Sequence, residues 1–112
     1  MYLVTAVMKP HRLQEVTDSL KDIDIGGITV TEVQGFGRQR GHTEVYRGSE
    51  YKVDYVPKVR VDVVCDAADA DKIAEVIAES ARTGKIGDGK IWITEVARVV
   101  RIRTGEVGAD AL

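Results

Sequence analysis

The sequence has little of several features that mark particular classes of protein. Its 112 residues include one cysteine, two prolines and only 5% aromatic residues. A single cysteine cannot form an internal disulfide, and Cys65 ends an apolar run over residues 59–65, which indicates a buried structural thiol. No apolar run approaches the roughly 18 residues that a membrane span requires. The N-terminus lacks a basic leader before a long apolar stretch, which favours a first strand and a cytoplasmic protein.

A strong excess of one charge is also absent, because the formal net charge is −2. This balance argues against direct, general nucleic-acid binding. The charge is uneven along the chain, however. Residues 82–103 carry six basic and two acidic residues, whereas residues 11–35 carry two basic and five acidic residues. Positive charge therefore gathers around the glycine-rich segment TGKIGDGK at residues 83–90, whose turn-rich backbone suits an anion.

The composition is that of an ordinary globular protein, with 44% hydrophobic and 30% charged residues. A chain of this length buries roughly 65% of its unfolded surface on folding. We therefore predict a single domain over residues 1–112.

Hydrophobic periodicity predicts the first half of the fold. Residues 2–8 form a short β-prone run, and Pro10 is well placed to open a helix. Gly26 and Gly27 are expected to end that helix, and residues 28–36 are rich in β-branched side chains, which favours a second strand. The helix would bury four side chains at helical spacing: Leu13, Val16, Leu20 and Ile23.

The second half repeats the pattern. Residues 56–65 alternate as a third strand, and residues 90–97 as a fourth, followed by a shorter strand or extended tail over residues 99–103. Asp69 is expected to cap the second helix. The buried stripe of that helix would comprise Ile73, Val76, Ile77 and Ala81, with Glu75 and Glu79 facing outward.

The order βαββαβ predicts an α+β ferredoxin-like sandwich, with both helices on one face of a four-stranded antiparallel sheet. Residues 61–64 are apolar on both sides of their strand, so the opposite face is also expected to be buried, in a homo-oligomer. Residues 37–55 show no sustained periodicity and carry three of the four tyrosines. A loop this long is usually functional, so we expect a partner to dock there.

The glycine-rich segment resembles a phosphate-binding loop only in part. Residues 84–90 fit the first seven positions of G-x-x-x-x-G-K, but Ile91 replaces the magnesium-binding hydroxyl, and the segment joins a helix to a strand rather than the reverse. A standard nucleotide hydrolase is therefore disfavoured. Glycines at 84, 87 and 89 still allow backbone N–H groups to converge on an anion beside Lys90. A glycine-rich turn without a ligand stays open as the alternative.

Two arginine pairs could add to an anion site. Arg101 and Arg103 alternate with Ile102, so on an extended chain both guanidinium groups would project from one side and clamp a polyphosphate. Arg38 and Arg40 form a second pair directly after the glycine-flanked Phe36. Each pair alone is also consistent with two arginines that are exposed to solvent at the edge of the protein and bind no ligand.

Enzymatic machinery is not evident, and we predict that the protein is not an enzyme. His11, His42 and Cys65 lack the spacing of metal ligands. Ser49 and Ser80 have no obvious histidine and carboxylate partners in the sequence.

Two sequence motifs occur in the same chain: YRGSEY at residues 46–51 and TGKIGDGKIW at residues 83–92. Together with TVTEVQGFGRQRGHTE at 29–44 and ARVVRIRTGE at 97–106, they resemble the P-II nitrogen signalling family over nearly the whole chain. The resemblance implies a homotrimer of ferredoxin-like subunits. It also implies a nucleotide in each of three clefts between neighbours, with ATP and ADP competing for it.

The resemblance also implies the nucleotide-binding residues. The phosphates would be held by Gly87, Asp88, Gly89 and Lys90, completed by Arg101 and Arg103. The positions around the base, the ribose and the root of the long loop are Thr29, Gly35, Gly37, Arg38 and Val64. Asp62 stands where family members often carry glutamate, so a nucleotide contact from Asp62 would reach less far or be lost.

In the family, ATP with magnesium creates a site for 2-oxoglutarate. The resemblance implies that Gln39 helps to coordinate the magnesium and that Lys58 pairs with the 2-oxoglutarate carboxylate, with Gly87 at the same site. Tyr51 matches the tyrosine that a nucleotidyltransferase modifies in bacterial relatives. Whether Tyr51 receives UMP or AMP, and whether Ser49 is modified, is not written in the sequence.

These implications predict a signalling protein that reads ATP, ADP and 2-oxoglutarate. Its long loop would control an ammonium channel, a glutamine synthetase modifying enzyme or a transcription regulator, in the cytoplasm and, through an ammonium channel, at the membrane. Two alternatives are a nucleotide-hydrolysing enzyme and a ferredoxin-like trimer that binds metal.

Overall fold

The computed structural model describes residues 1–37 and 55–112, and between them the backbone of residues 43–46 and 49–52. Its strands are β1 (Tyr2–Met8), β2 (Thr29–Gly35), β3 (Thr43–Tyr46), β4 (Ser49–Lys52), β5 (Val56–Cys65) and β6 (Gly89–Glu95). Its α-helices are α1 (Leu13–Asp22) and α2 (Ala70–Ala81). Single 3₁₀ turns occupy Pro10–Arg12, Ala67–Asp69 and Gly108–Ala111.

Four strands form one antiparallel sheet in the order β2-β5-β1-β6. Val4 of β1 lies opposite Val63 of β5 and Ile93 of β6. Both helices contribute to a single core with the side chains on one face of this sheet. The ferredoxin-like α+β sandwich is therefore confirmed.

The core follows from strand alternation, which places every second side chain on the helix-covered face. The buried strand residues are Val4, Ala6 and Met8 of β1 and Val59, Val61, Val63 and Cys65 of β5. Helix α1 adds Val16 and Leu20, and α2 adds Ala70, Ile73, Ile77 and Ala81. The prediction of a buried Cys65 thiol is confirmed, whereas Leu13, Ile23 and Val76, also predicted to be buried, are only partly buried.

The opposite face of the sheet is not covered by the helices. Val64 and Trp92 lie on it and each exposes 41% of its surface. Thr5 also points to this face but is 0% exposed, and its hydroxyl donates a hydrogen bond to the Asp62 carboxylate at 2.7 Å. This face therefore carries exposed apolar side chains beside a buried polar contact.

The long segment contains secondary structure that the periodicity did not predict. Strands β3 and β4 pair antiparallel, with Tyr46 opposite Ser49 and Thr43 opposite Lys52. Residues 37–55 are thus not one unstructured loop. Each strand is only four residues long, which is too short to reveal an alternating pattern in a sequence window.

Three local predictions at element ends differ from the structure, and one of them only in part, because Asp69 does occupy the N-cap position of α2. Helix α1 ends at Asp22, and Asp24 rather than a glycine adopts the left-handed conformation, with φ of 65°. Aspartate tolerates this region because its short side chain can form local hydrogen bonds. Asp69 precedes α2 without a side-chain capping bond, and the Asp66 carboxylate instead accepts a hydrogen bond from the Ala68 amide at 3.4 Å.

The tail after β6 is the third difference. Residues 102–104 form a turn, closed by a hydrogen bond from the Gly105 amide to the Arg101 carbonyl at 2.8 Å. Gly105 has φ of 74°, which permits this reversal, and Val100 then pairs with Val107. The expected extended run over residues 99–103 is therefore wrong, and with it the argument that alternation aligns Arg101 and Arg103.

Neither α-helix is a candidate for crossing a lipid bilayer, and this finding covers only the described residues.

The buried position of Ile73 yields a stability prediction. Ile73 is 1% exposed in α2, so Ile73→Ala leaves a cavity and is expected to lower the free energy of unfolding by about 2–5 kcal/mol. Urea denaturation followed by circular dichroism measures this. The control is Glu75→Ala on the exposed side of the same helix, expected to change stability by no more than about 0.5 kcal/mol. Equal effects of the two substitutions would contradict the proposed packing.

Candidate functional site

A cleft of about 890 Å³ opens at one end of the sheet, where β1 and β2 end and β5 and β6 begin. Its volume lies within the usual range of small-molecule sites. Seven of the sequence-predicted ligand residues line it: Gly35, Gly37, Lys58, Gly87, Asp88, Gly89 and Lys90. Apolar walls come from residues that the sequence analysis did not select: Val7, Phe36, Val56, Ile86 and Trp92.

Gly89 is fixed by its contact with β1. Its φ is 101°, a conformation that side chains rarely adopt. A Cβ atom at this position would lie 2.8 Å from the carbonyl carbon of Val7 and closer still to the oxygen. Gly84 and Gly87 also have positive φ, at 82° and 93°. The backbone path of the glycine-rich loop therefore depends on residues without a side chain.

The Asp88 carboxylate holds this loop from within. It accepts hydrogen bonds from the Thr83 and Gly84 amides, both at 2.9 Å, and from the Thr83 hydroxyl. The Lys9 ammonium lies 3.3 Å from one carboxylate oxygen. The hydrogen bond from the Thr83 hydroxyl is the largest of the effects that hold the pKa of Asp88 well below its usual range. The carboxylate is therefore charged and bound to the loop itself.

Lys58 forms the floor of the cleft. It is 8% exposed, and its ammonium donates a hydrogen bond to the carbonyl oxygen of Gly87. Its stem passes close to Gly35, where a Cβ atom would lie 3.2 Å from Lys58 Cγ. Burial, and then the nearby Lys9 ammonium, lower the pKa of Lys58, while Asp88 offsets part of the effect. A cation is thus held beneath the glycine-rich loop.

Lys90 and an aromatic pair lie around the cleft. Lys90 is exposed at the start of β6. The rings of Phe36 and Tyr55 have centroids 5.7 Å apart and are tilted by 50°. These two residues flank the segment that contains β3 and β4, so the contact brings the two ends of that segment together beside the cleft.

Three other predicted residues lie toward the opposite end of the sheet. Thr29 begins β2 and pairs with Asp62, and Val64 lies two residues further along β5. Asp62 is four residues from Lys58 along β5, which is about 13 Å at roughly 3.3 Å per residue. None of the three lines the cleft within the described part of the chain.

Asp62 is already engaged by protein groups. Its oxygens accept hydrogen bonds from Thr5 Oγ1 at 2.7 Å and from Arg60 Nε at 2.9 Å. Burial alone would raise the pKa of Asp62, but the hydrogen bonds from Arg60 and Thr5 outweigh it, so the pKa is lowered. The carboxylate is charged and fixed on the uncovered face of the sheet.

Arg101 and Arg103 also lie away from the cleft, on the tail after β6. The Arg101 guanidinium binds Glu106 Oε1 at 3.2 Å and the Leu112 carbonyl oxygen at 2.7 Å. Arg103 is exposed and makes no hydrogen bond or ion pair with residues 1–37 or 55–112. One chain therefore brings together only part of the predicted nucleotide site.

The remaining predictions fall on the long segment. Arg38 and Gln39 lie outside the described residues. The backbone of Tyr51 belongs to β4, opposite Glu44, and its side chain is outside the described part. Among the described residues, no group of three or more histidine, cysteine or acidic side chains is arranged to hold a metal ion.

The chain is similar to known proteins over nearly its whole length. Residues 1–106 match the family model of nitrogen regulatory protein P-II. The chain is 54% identical over all 112 residues to nitrogen regulatory protein P-II of Pasteurella multocida, and both chains are covered completely. It is 52% identical to nitrogen regulatory protein GlnK of Escherichia coli, again over both full chains.

A solved structure agrees with the fold. The crystal structure of Arabidopsis thaliana PII bound to citrate superposes with a TM-score of 0.82 at 38% identity, covering 99% of this chain and 91% of the other. The sheet order, the cleft with its glycine-rich loop and these similarities agree, and the chain belongs to the P-II family of nitrogen regulatory proteins.

Proposed function

We propose that this chain is a homotrimeric signalling protein that reports nitrogen status rather than an enzyme. Each trimer would bind ATP or ADP in three clefts between neighbouring copies, and 2-oxoglutarate beside the nucleotide. The observation that carries this proposal is the cleft of about 890 Å³ whose rim is the glycine-rich loop and whose floor is Lys58. Its occupancy would set the conformation of residues 37–55 and so the choice of partner.

The loop suits the phosphates of a nucleotide. Glycines with left-handed conformations allow a backbone to turn its N–H groups toward one anion. Because the Asp88 side chain is bound to Thr83 and Gly84, a phosphate contact from position 88 would come from its backbone. Lys90 would add charge from the rim, and Lys58 from the floor.

The separation of the predicted site into two sets supports the trimer. The first set lines the cleft, and the second comprises Thr29, Asp62, Val64, Arg101 and Arg103 at the opposite end of the sheet and on the tail. In a cyclic trimer each interface joins two different surfaces of the same chain. One copy's second set would therefore complete its neighbour's cleft. The uncovered sheet face and the fully exposed Ile102 would supply apolar contact area.

Lys58 is the proposed partner of a 2-oxoglutarate carboxylate, with Gly87 beside it. The relative from Arabidopsis thaliana is described as bound to citrate, which is also a small polycarboxylate. Gln39 would join the magnesium ion that accompanies ATP. When bound, that ion would supply positive charge to its anionic ligands.

The cleft is connected directly to the partner-binding segment. Gly35, Phe36 and Gly37 line the cleft and lead into residues 38–54, and Phe36 touches Tyr55 at the other end. A ligand shifts a conformational equilibrium only if it binds the conformations unequally. ATP, ADP and 2-oxoglutarate would shift this equilibrium by making different contacts with residues 35–37, where the segment begins.

The proposed partners are an ammonium channel, a glutamine synthetase modifying enzyme or a transcription regulator, with no direct contact to nucleic acid. A nucleotidyltransferase would modify Tyr51. The protein would act in the cytoplasm and, with an ammonium channel, at the membrane surface. Hydrolysis of the nucleotide is not proposed, because Ile91 stands where a phosphate loop carries its magnesium-binding hydroxyl.

Calorimetric titration with ATP tests the nucleotide site. Lys90→Ala removes a charge-assisted contact to phosphate and is expected to weaken ATP binding by roughly tenfold to a hundredfold. Lys72→Ala is the control, because Lys72 is exposed on α2 and has no hydrogen-bond or ion-pair partner in the described residues. Absence of ATP and ADP binding to the unaltered protein would contradict the proposal.

Titration with 2-oxoglutarate tests the second site. We expect binding only with magnesium and ATP present, and Lys58→Met should weaken 2-oxoglutarate binding more than ATP binding. Because the pKa of Lys58 is lowered, its ammonium loses its proton at lower pH than that of an ordinary lysine. The affinity for 2-oxoglutarate should therefore be highest below the lowered pKa of Lys58 and fall as pH rises through that pKa. Equal binding without magnesium and ATP would refute the arrangement.

Mass spectrometry of protein from nitrogen-starved cells tests Tyr51. A mass increase of one nucleotidyl group is expected on the peptide that contains Tyr51, and Tyr51→Phe should abolish the increase. An unchanged mass in cells that modify a P-II relative under the same conditions would exclude this role.

A further inference from the structure

We infer that Lys9 is a positioning residue for the phosphate-binding loop, acting through Asp88 and Thr83. Among the described residues Lys9 does not line the cleft, so the role inferred for it is an indirect one. The inference rests on the proposed nucleotide-binding function and deepens it, because it identifies what keeps an anion-binding loop usable although a carboxylate lies within it.

Lys9 reaches the loop from the end of β1. Its ammonium lies 3.3 Å from Asp88 Oδ1 and donates a hydrogen bond to Thr83 Oγ1 at 3.1 Å. The side chains of Lys9 and Asp88 are only 13% and 25% exposed, so water screens the pair less than it screens a surface pair. Residues 83 and 88 of the loop are thus joined through one ammonium group.

The first consequence is geometric. The Asp88 carboxylate receives the Thr83 and Gly84 amides and the Thr83 hydroxyl, so its orientation sets the curvature of the loop. Lys9 binds the same carboxylate and the same hydroxyl. Without Lys9, Asp88 can rotate away from Thr83, and the backbone groups of Gly87 and Gly89 lose their fixed positions.

The second consequence is electrostatic. Asp88 lies between the two glycines proposed to face the phosphates, and two negative charges in close proximity repel each other. The Lys9 ammonium balances the charge of the carboxylate from within the protein, where the two side chains are 13% and 25% exposed. A phosphate group then approaches a loop whose internal charge is already balanced, and Lys58 and Lys90 are left to attract it.

The experiment compares Lys9→Met, Lys9→Arg and the control Lys72→Met by two measurements: ATP titration and hydrogen exchange of the Thr83 and Gly84 amides. Lys9→Met keeps an apolar stem and removes the charge. We expect about fivefold to tenfold weaker ATP binding and faster exchange of both amides, with exchange in β1 and β5 unchanged. Lys9→Arg should retain most of the affinity, and Lys72→Met all of it.

A double-mutant cycle shows whether Lys9 acts through Asp88. In an Asp88→Asn background the charge to be neutralised is gone, so adding Lys9→Met should change ATP affinity by no more than about twofold. An equally large effect of Lys9→Met in both backgrounds would overturn the inference. Should Lys9→Met fail to fold, Thr83→Val, which removes the shared hydroxyl, is expected to accelerate exchange of the Gly84 amide and weaken ATP binding.

The outcomes separate this inference from the proposed function. Failure of the unaltered protein to bind ATP would contradict the proposed function. Normal binding by the unaltered protein, together with full affinity or unchanged amide exchange in Lys9→Met, would overturn the role of Lys9.

Discussion

The carbonyl group of Val7 leaves no space for a side chain at position 89, and the candidate site depends on this contact. Because β1 and β6 are paired along their lengths, the sheet itself fixes the end of the glycine-rich loop, where β6 begins. Lys58 then holds the carbonyl of Gly87, and Lys9 lies beside the carboxylate of Asp88. Three consecutive loop residues are thus held from β5, from Lys9 directly after β1, and from β1 itself. If the loop binds phosphate as proposed, holding it in this way would reduce the entropy cost of binding.

The same sheet separates the predicted ligand residues into two sets that one chain does not bring together. The residues predicted to hold the phosphates lie at the end where β1 and β2 finish, whereas Thr29, Asp62 and Val64 lie toward the other end. Asp62 is further restrained by Arg60 and Thr5, which fits a positioning role at an interface as well as it fits a ligand contact. In the proposed trimer, nucleotide binding would require assembly, because neither set of residues alone would enclose the nucleotide.

Strand β5, the buried Cys65 and the sandwich order were predictable from the sequence because alternation and helical spacing are local consequences of one buried face. The turns of the glycine-rich loop were predictable because glycine content is visible in the sequence, whereas its role as an anion site stays a prediction. The turn at Gly105 and the left-handed Asp24 depend on local hydrogen bonds that spacing does not encode. Lys9 was missed for a different reason: its partners, Thr83 and Asp88, are more than 70 residues away, and only the sheet brings them close.

The central claim is that each nucleotide site is shared between two copies. Mixing two variants tests it most directly: one chain carries Lys90→Ala, the other Arg103→Ala, and the chains are unfolded together and refolded at equal amounts. If neighbours share each site, about a quarter of the sites combine an intact Lys90 with an intact Arg103, so ATP binding of native affinity returns at that stoichiometry. If both residues serve the site of their own chain, no mixed assembly restores it, and that result would contradict the account.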